Sequence, residues 1–101
     1  MAVDKDLQSI QEVRDLLLKA QEAQLAFRSY SQDQVDRVVS AMVEAGYSEA
    51  ARLGRLAVEE TGFGKPEDKQ KKNEFATRRV WESIRDLKTV GVIGEDREKR
   101  V

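Results

Sequence analysis

The sequence predicts a mainly α-helical chain with three to four amphipathic helices, followed by a short β-strand or hairpin. Three observations predict this fold class. Apolar residues recur every three or four positions over most of the first 87 residues, Ser31 and Pro66 occupy typical helix starts, and a β-branched run lies near the end. With 101 residues, the chain is long enough for one small domain at most, or for a piece of a larger one.

The first helix is predicted from Asp6 to about Phe27. Its apolar stripe consists of Leu7, Ile10, Val13, Leu17 and Ala20. We expect this stripe to pack on a core. The alternative is a helix that lies on a membrane surface or binds a partner, although its polar face is less basic than such helices usually are.

The second helical region begins at a capping box, in which Ser31 is the N-cap and Gln34 follows three residues later. An apolar stripe then continues at helical spacing to about residue 60. The region is either one kinked helix or two helices. We favour two, because Gly46 is typical of a helix end and Ser48 of a helix start.

The next predicted helix begins at Pro66 and runs to about Asp86. Residues 61–64 form the loop before it, and Gly62 suits the left-handed conformation that commonly follows a helix. Pro66 is favoured at the first helical position, and Glu67 and Asp68 complement the positive end of the helix dipole. Lysines and arginines make most of this helix basic.

The last segment changes its pattern. Residues 89–93, TVGVI, are rich in β-branched side chains and predict a short strand. Residues 94–96 are expected to turn, and residues 97–101 to begin a returning strand. An isolated hairpin is marginally stable in water, so we expect its strand partners to lie in a larger protein.

Composition excludes several classes of function. The 18 basic and 19 acidic residues give a net charge of −1, which argues against a nucleic-acid-binding domain. The chain contains no Cys and no His, so it supplies neither a thiol nucleophile nor an imidazole base. We expect no membrane span, since no apolar run approaches about 20 residues. A cytoplasmic location is expected, because the first residues do not resemble a signal peptide.

The loop that precedes the helix predicted to begin at Pro66 is the first candidate site. Residues 61–65, TGFGK, resemble a phosphate cradle loosely, but they follow a helix and match no phosphate-binding motif. A plain connector is the favoured interpretation. The flanking carboxylates could hold a divalent ion, and the basic residues 69–72 could meet phosphate. No metal motif accompanies the carboxylates, and acidic neighbours offset the basic run, so solvated helix faces are favoured for both.

Four stretches, taken in order, resemble a known family. They are SQDQVDRVV at 31–39, LAVEETGFG at 56–64, EDKQKKN at 67–73 and KTVGVI at 88–93. Their order and spacing are similar to the N-terminal region of the aldehyde dehydrogenase superfamily. The most similar branch is the CoA-acylating aldehyde dehydrogenases, including the aldehyde half of bifunctional aldehyde–alcohol dehydrogenases. The resemblance extends from about Leu7 to Ile93.

The resemblance implies an activity for the parent enzyme. Such enzymes oxidise an aldehyde with NAD through a cysteine thioester and pass the acyl group to CoA, reversibly. Residues 1–87 would then be the helical N-terminal part of the cofactor-binding domain, within an α/β fold. Residues 88–101 would begin the oligomerisation hairpin, and the expected partners are the remainder of the enzyme and further copies of it.

No catalytic or cofactor-binding residue is implied within this chain, because the family's catalytic Cys and nucleotide-binding strands follow the matched region. By resemblance, Asp68, Lys69 and Asn73 lie near the substrate channel. The competing interpretation is that they fix the loop and helix against the rest of the protein.

The leading hypothesis is therefore an N-terminal fragment of an acylating aldehyde dehydrogenase that is not catalytic alone. The alternative is a free-standing helical protein-interaction module without enzymatic activity.

Overall fold

The computed structural model describes residues 2–101 and divides into two compact units. The first unit extends to Tyr30 and the second comprises Ser31–Val101. The first contains one helix, and the second contains all the others. None of the helices in residues 2–101 combines the length and the apolar character that a membrane crossing requires.

The first unit is built on α1 (Lys5–Phe27), which confirms the predicted first helix. Side-chain hydrogen bonds from Gln8 to Glu12 and from Gln11 to Asp15 connect successive turns of the polar face. The predicted packing of the apolar stripe on a core is not formed within this unit. Leu7 and Leu17 are 54% and 63% exposed, because a single helix offers no second surface to cover them.

In the second unit, α2 (Gln32–Ser48) begins at the predicted capping box. The backbone N–H of Gln34 donates to Ser31 Oγ at 3.3 Å, and the backbone N–H of Ser31 donates to Gln34 Oε1 at 2.9 Å. Both residues thus satisfy donors that the first helical turn leaves without partners. The prediction of this cap is confirmed.

The chain divides into two helices, as favoured, but the break lies at Glu49 and not at Gly46. Gly46 lies inside α2, where a Cβ would come within 2.9 Å of Thr77 Cγ2. The glycine therefore permits a close approach between helices and does not end one. Ser48 does not cap the following helix, since its hydroxyl donates back to the carbonyl oxygen of Ala45.

The third helix, α3 (Ala50–Thr61), ends at Gly62, which has the predicted left-handed conformation with φ 72°. The backbone N–H of Gly62 donates to the carbonyl oxygen of Val58 at 2.7 Å. Thr61 accepts a hydrogen bond from the backbone N–H of Phe63 at 3.2 Å and so orders the loop.

After the loop come α4 (Pro66–Glu74), a π-helical turn (Phe75–Arg79) and α5 (Val80–Ile84). Pro66 occupies the first turn, as predicted. The single helix predicted to Asp86 is instead interrupted by the π turn and ends two residues earlier. The Thr77 hydroxyl shares its one proton between the carbonyl oxygens of Asn73 and Glu74, at 2.7 and 3.2 Å, where the hydrogen-bond register changes.

The predicted C-terminal strand and hairpin are not formed within residues 2–101. Residues 89–93 are irregular, and Gly91 turns the chain with φ 80°. The turn lies at residues 97–100 and not at 94–96, and Asp96 and Val101 exchange two backbone hydrogen bonds across it. No strand lies beside this segment within residues 2–101, and the backbone N–H groups of Thr89 and Val90 donate to the Gln32 side chain instead.

The closest packing in the second unit joins α3 to α4. Of the residues that the structure describes, Ala50 and Gly54 are the buried ones. A Cβ built on Gly54 would come within 3.1 Å of both the Pro66 carbonyl oxygen and the Gln70 backbone nitrogen. The two helices therefore approach to backbone contact at a position where only glycine fits freely.

We predict that Ser31→Ala lowers the free energy of unfolding of the second unit by about 1 kcal/mol, the usual effect of losing a serine N-cap. The urea midpoint of the full chain measures it. Ser29→Ala is the matched control, because the Ser29 hydroxyl donates only to Ala26 near the end of α1. Equal midpoints for both variants would contradict the cap.

We predict that Gly54→Leu destabilises the second unit by on the order of 2 kcal/mol, because overpacking forces α4 away from α3. Ala51→Leu is the control, since Ala51 lies on the same helix and is exposed. Thermal unfolding of the two variants should differ clearly. A Gly54→Leu chain as stable as the Ala51→Leu chain would show that the contact carries little energy.

Candidate functional site

The three residues expected near a substrate channel all lie on α4, but they do not converge on one point. Lys69 and Asn73 are one helical turn apart, and both are half-buried. Asp68 is exposed and belongs to the acidic first turn, where it complements the helix dipole. The structure therefore brings Lys69 and Asn73 together and leaves Asp68 apart from them.

Asn73 has a defined packing contact. Its Nδ2 donates to the carbonyl oxygen of Ala50 at 3.2 Å, and the bond is partly buried. Ala50 is the first residue of α3, directly after the break at Glu49. The side chain of Asn73 thus holds α4 against the start of α3.

Lys69 extends along the loop that precedes α4. A Cβ on Gly54 would lie 3.3 Å from Lys69 Cβ, and a Cβ on Gly64 would lie 3.1 Å from Lys69 Cε. The aliphatic part of Lys69 therefore runs from the α3 contact to Gly64, and its ammonium group ends beside the loop. Gly64 has φ 80°, a conformation that side-chain-bearing residues rarely adopt.

The loop geometry favours the connector interpretation over a phosphate cradle. The backbone N–H of Phe63 already donates to Thr61 Oγ1, and Lys69 covers Gly64. The Phe63 side chain is 75% exposed at the tip of the loop. Within residues 2–101, no cluster of three or more metal-binding side chains is present, so the flanking carboxylates gain no support as a metal site.

A second polar contact lies at the π turn and was not predicted. The Arg78 guanidinium lies over the Tyr47 ring, 3.6 Å from its centroid, in a cation–π contact. A shallow groove of about 410 Å³ adjoins it, lined by Lys71, Glu74, Phe75 and Glu82 among others. Arg78 lies in the π turn, and no residue spacing in the sequence indicates such a turn. The contact between Arg78 and Tyr47 therefore could not be predicted from the sequence.

Most of this chain is similar to one part of longer known proteins. No family model matches the chain. The acetylating succinate-semialdehyde dehydrogenase of Clostridium kluyveri is 40% identical over 87 residues, which are 86% of this chain and 19% of that protein. The bifunctional aldehyde-alcohol dehydrogenase AdhE of Escherichia coli K12 is 35% identical over 88 residues, which are 87% of this chain and 10% of that protein.

A solved structure gives the same result. The acetylating aldehyde dehydrogenase from Geobacillus thermoglucosidasius superposes with a TM-score of 0.81 at 50% identity, over 96% of this chain and 22% of that one. The resemblance to acylating aldehyde dehydrogenases is confirmed. This chain spans about a fifth or less of the length of these acylating aldehyde dehydrogenases.

We predict that Asn73→Ala lowers the free energy of unfolding by about 1 kcal/mol, because the Ala50 carbonyl oxygen loses its partly buried donor. The urea midpoint of the full chain is the measurement, with Lys72→Ala as the exposed neighbour for comparison. If the two variants unfold at the same midpoint, the bond from Asn73 to Ala50 does not stabilise the contact between α3 and α4.

Proposed function

We propose that this chain is the N-terminal part of an NAD-dependent, CoA-acylating aldehyde dehydrogenase. The parent enzyme would convert an aldehyde, CoA and NAD to acyl-CoA and NADH, reversibly. One observation carries the proposal: the chain matches an acetylating aldehyde dehydrogenase structure over 96% of its length at 50% identity. The relatives named as acetylating and bifunctional aldehyde-alcohol dehydrogenases support the acylating branch.

The exposure of apolar side chains is a second support. Leu7, Leu17, Phe75 and Ile93 are 54–67% exposed, although side chains of this kind are usually buried. A chain with so little internal packing fits a segment that further protein covers. The proposal accounts for this surface as contact area with the remainder of the enzyme.

The chemistry of the reaction would come from other parts of the parent enzyme. This sequence contains no Cys, so it cannot supply the thioester nucleophile, and we propose that it is not catalytic alone. Its glycine-containing loop does not fit a dinucleotide, because it follows a helix and the Phe63 N–H donor is already bound. We therefore assign no NAD contact to this chain.

The role of each region follows from the same proposal. Residues 1–87 would form the helical N-terminal part of the cofactor-binding domain. Residues 88–101 would begin the segment used for assembly into a homo-oligomer. We propose that Asp68, Lys69 and Asn73 lie near the substrate entrance of the parent enzyme, where Asn73 acts through its bond to Ala50. We also propose that the parent enzyme works in the cytoplasm.

The alternative, a free-standing helical interaction module, gains no support from the comparisons. The named relatives are dehydrogenases, and no interaction protein is among them.

A chimeric enzyme tests the proposal. In it, this chain replaces the matched 22% of the Geobacillus acetylating aldehyde dehydrogenase. We expect CoA-dependent NADH formation from acetaldehyde within about tenfold of the parent rate, which corresponds to about 1.4 kcal/mol in activation free energy. The chain alone should form no NADH above the blank.

The controls separate assembly from chemistry. The same chimera carrying Gly54→Leu should lose both assembly and activity, because the contact between α3 and α4 is disturbed. The chimera carrying Ala51→Leu should keep both. A chimera that folds and assembles like the parent but oxidises no aldehyde would contradict the proposed function.

A further inference from the structure

The side chain of Gln32 makes contacts far from its own helix. Gln32 is the first residue of α2, and its Oε1 accepts hydrogen bonds from the backbone N–H groups of Thr89 and Val90, at 2.8 and 3.0 Å. Its Nε2 donates to Asp36 Oδ1 at 2.9 Å and to Thr89 Oγ1 at 3.0 Å. The partners at Thr89 and Val90 lie 57 and 58 residues along the chain.

These four bonds use the full capacity of the amide, which has two acceptor lone pairs and two donor hydrogens. The orientation of the amide is fixed by its partners. The reverse orientation would place the NH₂ group against two backbone N–H donors. Asp36, one turn further along α2, accepts from Nε2 and holds the oxygen toward the C-terminal segment.

The segment has little else to hold it. Among the hydrogen bonds of the described residues, those to Gln32 are the ones that tie residues 88–95 to the helices. Val90 is half-buried beside this contact, whereas Val92 and Ile93, beyond Gly91, are 84% and 67% exposed. The hydrogen bonds that tie residues 89–90 to the helices therefore all come from one side chain.

We propose that Gln32 is a latch, a positioning residue whose amide holds residues 88–90 against the start of α2. The latch fixes the direction in which the chain leaves the helices before Gly91 turns it. It occupies the N–H donors of Thr89 and Val90, which a strand would direct to its two opposite edges, so it also keeps residues 89–90 out of strand pairing. This proposal is independent of the proposed enzymatic function, because every contact that carries it lies within this chain.

Amide hydrogen exchange of the full chain, followed residue by residue by NMR, tests the latch. In the unsubstituted chain, the amides of Thr89 and Val90 should be protected. Gln32→Met keeps the length of the side chain but removes its polar atoms. We expect it to raise the exchange rates of Thr89 and Val90 by roughly tenfold, since both donors lose their acceptor. Gly62, whose N–H donates within the α3 end, should be unchanged.

Two further variants identify the group responsible. Gln32→Glu with Asp36→Asn reverses the polarity of the bond between positions 32 and 36 and keeps an acceptor oxygen for both backbone donors. It should retain the protection of Thr89 and Val90. Gln34→Met is the matched control, because it removes the bond from the Ser31 N–H to Gln34 Oε1 but keeps the Ser31 Oγ cap and touches nothing at residues 89–90. It should leave their exchange unchanged.

Several results would overturn the latch. One is an absence of protection at Thr89 and Val90 in the unsubstituted chain. Another is an equal effect of Gln34→Met, or an equal rise at Gly62 in Gln32→Met, because either would assign the effect to α2 as a whole. Should Gln32→Met fail to fold, the double variant decides: protection in a folded double variant supports the latch, and its loss or unfolding rejects it.

Discussion

The backbone contact between α3 and α4 is the constraint on which the second unit depends. Gly54 faces the Pro66 carbonyl oxygen and the Gln70 nitrogen so closely that a Cβ would lie 3.1 Å from each. Ala50, one turn earlier, is almost completely buried on the same side. Because these residues are small, the helices approach without a layer of large side chains between them. The short loop at residues 62–65 then has to reverse the chain within that spacing, which explains its left-handed glycines at 62 and 64.

Because the core is so small, individual hydrogen bonds determine much of how the helices and the C-terminal segment are arranged. Asn73 joins α4 to the start of α3, the capping box fixes the start of α2, and Gln32 ties the C-terminal segment to that same helix end. Each involves a side chain that satisfies a backbone group, and such groups are costly to leave without partners. Lys69 and Asn73, which were expected near a substrate channel, therefore also contribute to the packing of α4 against α3.

The helix boundaries that depend on neighbouring residues could be predicted from the sequence. The Ser31 capping box, the left-handed Gly62 and Pro66 in the first turn of α4 each depend on neighbouring residues, and each is present. The position of Gly46 inside α2 and the irregular course of residues 89–90 accompany contacts distant in sequence, those of Gly46 with Thr77 and of Gln32 with Thr89. Hydrophobic spacing carries no information about such partners. For the same reason, the sequence indicated candidate residues on α4 but could not show which of them face α3.

The irregular residues 89–93 show how side-chain and backbone bonding compete. Their β-branched composition favours a strand, yet a strand needs a neighbour whose donors and acceptors match its own. Within residues 2–101, the Gln32 amide is the acceptor that reaches the Thr89 and Val90 donors. A ladder on either edge of residues 89–90 would have to replace a hydrogen bond that is already made to the Gln32 amide. This competition does not extend beyond Gly91. Val92 and Ile93, which follow it, are exposed, and their backbone N–H groups make no hydrogen bond among the described residues. The same five-residue sequence therefore contains one part held by α2 and one exposed part beyond Gly91.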